Sequence, residues 1–179
     1  MREVNRYGLI SILLALAAGT PLLAEESLRI TPIVRDSRVL VSFELDDAYT
    51  PVVQDTIASG LRTTFSYVLE LRTVQPGWID RTIARTEVTA IDQYDNLTRR
   101  HTLTRTVDGR TEDTLVTEDE SVVKSWLTKW TRVPVSDTSK LDPTRDYYVR
   151  ITTRARPLGG SLLGLSKTIS GSAKFTFIP

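Results

Sequence analysis

The chain has 179 residues, 23 Lys and Arg against 22 Asp and Glu, one histidine and no cysteine. Without cysteine, thiol catalysis, Cys-ligated zinc, redox chemistry and lipid attachment at a lipobox cysteine are excluded. A formal net charge of +1 argues against a globally basic nucleic-acid binder.

Residues 1–24 read as a secretory signal peptide. Arg2 and Arg6 form a basic start, Gly8–Gly19 is an uncharged apolar run, and Pro21 and Ala24 precede the acidic pair Glu25-Glu26. Cleavage is expected after Ala24, with Ala17-Ala18-Gly19 as a second position. The alternative is an uncleaved membrane anchor, but Tyr7–Ala24 reaches only the lower limit of the roughly 17–25 residues a span needs, and Pro21 interrupts it. Removing Arg2, Arg6 and Glu3 with the leader brings the formal charge balance to zero. Residues 25–179 suit one β-rich domain, large enough to bury roughly 70% of its unfolded surface without disulfide or metal staples.

Period-two alternation of β-branched and aromatic residues dominates the rest of the chain. Leu28–Val34 reads as an edge strand because Pro32 cannot donate to a ladder. After a turn at Arg35-Asp36-Ser37, the strand from Arg38 to Asp46 puts Val39, Val41, Phe43 and Leu45 on one face. A helix is expected from Thr50-Pro51, with Val53, Ile57 and Leu61 as its stripe. The strand Thr63–Val74 turns Phe65, Tyr67, Leu69 and Leu71 inward.

Strands at Arg81–Tyr94 and Leu97–Val107 form a hairpin closed at Asp95-Asn96. Asp108-Gly109 turns into a strand at Arg110–Val116. Thr117 with Glu120 predicts a capping box for a helix over 118–130, whose apolar face is Val122, Val123, Trp126, Leu127 and Trp130. The last strands are Tyr147–Arg156 and Ala173–Ile178. The expected fold is mainly β: an antiparallel β-sandwich or flattened barrel of about eight strands with two packed helices.

No catalytic, cofactor-binding or metal-binding constellation stands out, and no cofactor is expected. His101, the lone histidine, shares a strand face with Leu97 and Leu103 and reads as a packed or hydrogen-bonded side chain. Asp46-Asp47, Asp92 and Asp95 read as turn chemistry rather than as calcium ligands.

The candidate interaction residues are of two kinds. Arg150, Arg154 and Arg156 stand at even spacing on one side of a strand, opposite Val149, Ile151 and Ala155, with Arg81 and Arg85 sharing a face of another. Arg99, Arg100 and Arg105 add further guanidiniums in the central hairpin. The other kind is the apolar loop containing Leu158, Leu162, Leu163 and Leu165 among Gly159, Gly160 and Gly164. It suits either packing on the core or peripheral contact with a membrane or partner groove through residues 158–165.

Four segments, Ile30-Thr-Pro-Ile-Val-Arg-Asp36, Arg38-Val-Leu-Val-Ser-Phe-Glu-Leu45, Gln93-Tyr-Asp-Asn-Leu-Thr-Arg-Arg100 and Gly171-Ser-Ala-Lys-Phe-Thr-Phe-Ile-Pro179, together give a resemblance. The chain resembles an exported bacterial family catalogued as domain of unknown function 4390. The resemblance implies an envelope location and carries no activity. Where relatives tend to have a longer loop richer in tryptophan, this chain has Leu and Gly, which weighs against deep membrane insertion.

The functional expectation is a non-enzymatic binding or interaction module of the bacterial envelope, most naturally periplasmic. Its expected partner is an envelope protein or envelope component, not nucleic acid. Two alternatives carry their own structural signatures. A carrier would hold an apolar ligand between the sheet and the 118–130 helix, in a pocket lined by Phe65, Tyr67 and Trp126. An acid-pair hydrolase would show two carboxylates facing each other across a cleft.

Overall fold

The computed structural model describes residues 28–157 and 168–177. Residues 1–24, expected to be a leader, Leu158, Leu162, Leu163, Leu165 and the side chains of Arg154 and Arg156 lie outside the described residues.

In chain order the elements are β1 (Leu28–Arg35), β2 (Arg38–Leu45), α1 (Pro51–Ala58), β3 (Thr63–Thr73), β4 (Arg81–Asp95), β5 (Arg100–Val107), β6 (Arg110–Thr117), α2 (Glu120–Thr128), β7 (Lys129–Asp137), β8 (Asp146–Pro157) and β9 (Thr168–Thr176). Two open antiparallel sheets result, one ordered β1-β2-β7 and the other β6-β5-β4-β3-β8-β9. The mainly β expectation holds as two open sheets rather than a closed barrel, with nine described strands rather than about eight.

The core lies between the sheets and under the helices, supplied by the alternating positions. Val39, Val41, Phe43 and Leu45 of β2 face Phe65, Tyr67, Leu69 and Leu71 of β3, all buried. Val149 and Ile151 of β8 join them, as do Val53 and Ile57 of α1 and Val123 and Leu127 of α2. Pro32 sits on the edge strand β1, the position in a sheet where proline is tolerated. At the β1–β9 contact Gly171 lies close under Leu28, whose Cδ2 is 3.2 Å from where a Cβ would stand.

The strand missing from the sequence reading is β7. Trp130, read as the last residue of the helix face, is a strand residue opposite Phe43, and Val133 stands opposite Val41. Bulges against β2 and a left-handed Arg132 (φ 54°) break the alternation, and Pro134 disguises the rest. Helix α2 therefore stops at Thr128.

Its N-cap is Asp119, whose carboxylate accepts from the Ser121 N–H at 2.8 Å, while Thr117 accepts from the Asp119 N–H. The Thr117–Glu120 capping box is thus replaced by an Asx cap two residues later. Helix α1 begins as expected, with Thr50 accepting from the Val53 N–H and Pro51 at the first turn. It ends before Gly60 (φ 81°), so Leu61 leaves the stripe and is exposed.

The β4–β5 turn spans residues 96–99 rather than Asp95-Asn96 alone. Asp95 accepts from the N–H groups of Leu97 and Thr98 and from the Thr98 hydroxyl, and Arg99 takes φ 57°. Leu97 is 95% exposed at the tip, not on the face of His101 and Leu103. Asp108-Gly109, both at positive φ, form the next hairpin turn.

Candidate functional site

The outer face of the six-stranded sheet is built by the residues that alternate with the core. On β3 these are Ser66, Val68, Glu70 and Arg72, all half-buried by their cross-strand neighbours. The register sets Glu70 opposite Arg85 of β4 on one side and Arg150 of β8 on the other. Ser66, Val68, Glu70, Arg85, Glu87, Arg150 and Thr152 line a hollow of about 450 Å³.

Arg85 and Arg150 flank a carboxylate, yet neither makes an ion pair within 4.0 Å among the described residues. Both side chains are exposed. In the backbone ladder Arg154 stands opposite Ser66 and Arg156 opposite Thr64.

Arg150 also walls an adjoining hollow of about 500 Å³ with Asp80, Tyr148 and Lys174. Here the Asp80 carboxylate is already engaged. Tyr148 donates its hydroxyl to Asp80 Oδ2 at 2.7 Å, and Arg72 donates to the Asp80 carbonyl at 2.9 Å. The Tyr148 hydrogen bond and that from the Gln75 N–H hold the Asp80 carboxyl below the usual carboxylate range. The phenol of Tyr148 is pushed up by burial and by that same bond.

Arg81 and Arg85 do not share a face. A bulge between the pairs Leu71–Ala84 and Arg72–Thr82 inserts one residue, and Arg81 falls opposite Thr73 of the inner face. Arg81 lines a different hollow, with Ile83, Lys140, Asp142, Arg145 and Tyr147.

The inner face of the β4–β5 hairpin carries polar groups that composition alone did not single out. Asp92, read as a turn residue, has no exposed surface, and its Oδ2 lies 2.9 Å from His101 Nδ1. Desolvation raises its pKa, and the His101 hydrogen bond opposes that rise. Its Oδ1 is buried without a partner. His101 is 6% exposed, packs against Tyr94 with ring centroids 4.5 Å apart, and lines a cleft of about 330 Å³ with Tyr49, Tyr94, Arg99, Glu118 and Glu120.

The space between the sheet and α2 is packed. Tyr67 donates its hydroxyl to the Leu127 carbonyl at 2.7 Å, and Phe65 and Tyr67 have no exposed surface. Arg105 lies over the rings of Trp126 and Trp130, 4.4 and 4.5 Å from their centroids. A ligand held there by Phe65, Tyr67 and Trp126 finds its volume taken by these side chains.

Nor do two carboxylates face each other across the outer hollow. Glu70 and Glu87 stand on adjacent strands of one sheet as diagonal neighbours, so both project the same way. Among the described residues no three His, Asp or Glu side chains group as ligands for a metal ion. Among those same residues no helix is long and apolar enough to cross a membrane.

Neither a curated protein nor a solved structure matches the chain. A family model described as "Domain of unknown function (DUF4390)" matches residues 26–157, which include every strand from β1 to β8 and both helices. The chain belongs to that family of domains of unknown function.

Proposed function

We propose that the protein is an exported, non-enzymatic binding module of the bacterial envelope, and that the outer face of its six-stranded sheet takes an anionic group of its partner. The observation that carries this reading is the placement of Arg85 and Arg150 on either side of Glu70 without an ion pair to either, both lining one hollow and Arg150 also the hollow beside it. A guanidinium offers a planar fork suited to carboxylate or phosphate, and two forks on neighbouring strands can grip one anionic patch. The backbone of Arg154 stands in register with Ser66 in the same strand. The leader expected at residues 1–24 supports the envelope location.

The test compares wild type with Arg150→Gln/Arg154→Gln in periplasmic cross-linking followed by identification of the captured partner. The double variant should keep its thermal stability, because exposed pairs contribute at most about 1 kcal/mol each. It should lose the captured partner, with the largest difference at low salt. A folded double variant that captures the same partner equally well at low salt would remove the sheet face from the function.

A further inference from the structure

A second, chemically different site lies at the inner end of the β4–β5 hairpin. Its elements converge from three parts of the chain: Tyr49 and the Ile57–Ala58 end of α1, Tyr94 and His101 of the hairpin, and Glu118 and Glu120 where the chain enters α2. The cleft measures about 330 Å³, at the small end of the range for ligand pockets.

The imidazole is the key group. Asp92, fully buried, takes up Nδ1 of His101 at 2.9 Å, and Tyr94 packs against the ring. With the carboxylate accepting at Nδ1, the neutral imidazole carries its proton there and leaves Nε2 as an acceptor. Nε2 has no hydrogen-bond partner among the described residues, although the side chain is more than nine-tenths buried and lines the cleft. Nδ1 is turned to Asp92, so the free edge of the ring is the one the cleft receives.

The remaining lining is mixed in polarity. Glu120 adds a carboxylate with no ion pair among the described residues, while Glu118 is engaged by Arg100 at 3.0 Å. Tyr49 keeps its phenol proton, its pKa pushed up to about 12 by burial and by the charges of Glu120 and Asp92. Arg99 is the cation in the lining. The two acceptors of the lining without a partner among the described residues, His101 Nε2 and the Glu120 carboxylate, thus stand beside two aromatic rings, Tyr49 and Tyr94. What complements them is a compact donor with positive charge.

We propose that this cleft binds a primary ammonium group, with His101 Nε2 and the Glu120 carboxylate as its acceptors and the rings of Tyr49 and Tyr94 as its walls. The site is separate from the arginine face of the sheet, and the two stand or fall independently.

His101 is the only histidine in the chain, so its imidazole C–H signals report on the cleft without assignment. The experiment titrates the full exported protein at neutral pH with n-butylammonium chloride and follows those signals by proton NMR. Sodium butyrate and sodium chloride at the same ionic strength serve as controls. A saturable shift with butylammonium and none with either sodium salt is expected. Glu120→Gln should weaken that binding about tenfold, the loss of one charge-assisted contact, with the spectrum of the fold unchanged. Arg150→Gln should bind butylammonium as wild type does. The proposal is overturned if butylammonium gives no saturable shift, if sodium chloride or butyrate reproduces it, or if a folded Glu120→Gln variant binds as tightly as wild type.

Discussion

Arg105 donates from Nη2 to the carbonyl of Trp126 at 2.7 Å while its guanidinium lies 4.4 Å from the centre of the same residue's ring. One side chain thus caps the C-terminal end of α2 and packs its indole. The same nitrogen also reaches the Lys129 carbonyl, and the Trp130 ring covers the guanidinium with its centroid 4.5 Å away. Helices end with carbonyls that lack intrahelical partners, and here an arginine from a strand supplies the donors.

Arg105→Met should therefore cost about 2–3 kcal/mol, combining charge-assisted hydrogen bonds with lost stacking. Trp130→Ala, at a residue 4% exposed, should cost about 3–5 kcal/mol. Trp126→Ala should cost less, because that indole is only half-buried. Urea unfolding followed by circular dichroism measures all three. Unchanged stability in Arg105→Met would mean that the strand arginine does not hold α2.

Asp92 should leave a signature in the pH dependence of stability. Burial raises its folded-state pKa above the unfolded value of about 3.9. The folded state then favours the protonated form, and the stability this gives is fully present below the unfolded pKa. It is lost as pH rises through the folded pKa. Asp80, Asp95, Asp119 and Asp142 are shifted down and act oppositely, giving stability that is lost as pH falls through their folded pKa values. Subtracting the curve of Asp92→Asn from that of wild type isolates the first effect. The difference should decline as pH rises above about 4 and then level off; a flat difference would show that Asp92 titrates normally.

The hydroxyl of Tyr148 is the first cause of the low pKa of Asp80. Tyr148→Phe removes that donor and keeps the ring. The Asp80 carboxyl should then titrate closer to the usual range, read by carbon-detected NMR of the side-chain carboxyl. No upward movement would mean that the Gln75 N–H suffices to hold the charge.

Gly60 should resist substitution. It takes φ 81°, and a Cβ would stand 2.8 Å from Asn96 Nδ2 at the tip of the β4–β5 hairpin. Gly60→Ala should lower stability by about 1 kcal/mol or more. A thermal midpoint equal to that of wild type would show that Asn96 and the backbone relax without cost.

The proposed export makes a direct prediction. Protein recovered from the bacterial envelope should begin at or near Glu25 on N-terminal sequencing. An integral-membrane form beginning at Met1 would replace the cleaved leader with an anchor.

What the sequence determined by itself is the class of fold and most of its inner faces. Alternation alone identifies Val39 to Leu45 and Phe65 to Leu71 as core, because a pleated strand sends successive side chains to opposite sides. The same parity places Arg150 outward between Val149 and Ile151, so one member of the candidate site was legible. Asp-Gly at the β5–β6 turn and Thr-Pro at α1 were readable for local steric reasons. Strand β7 escaped because its bulges, Arg132 and Pro134 interrupt the periodicity that reveals a strand.

Only the tertiary structure decided which charged groups are neighbours. Glu70 meets Arg85 and Arg150 through register, which depends on sheet order and on the bulge that turns Arg81 away. Asp92 looks like a turn residue because aspartate is costly to bury. Its strand parity and the neighbouring α1, α2 and His101 remove it from water together. Local propensities act over a few residues, while these encounters join positions up to eighty apart, and their geometry is set by packing the whole domain.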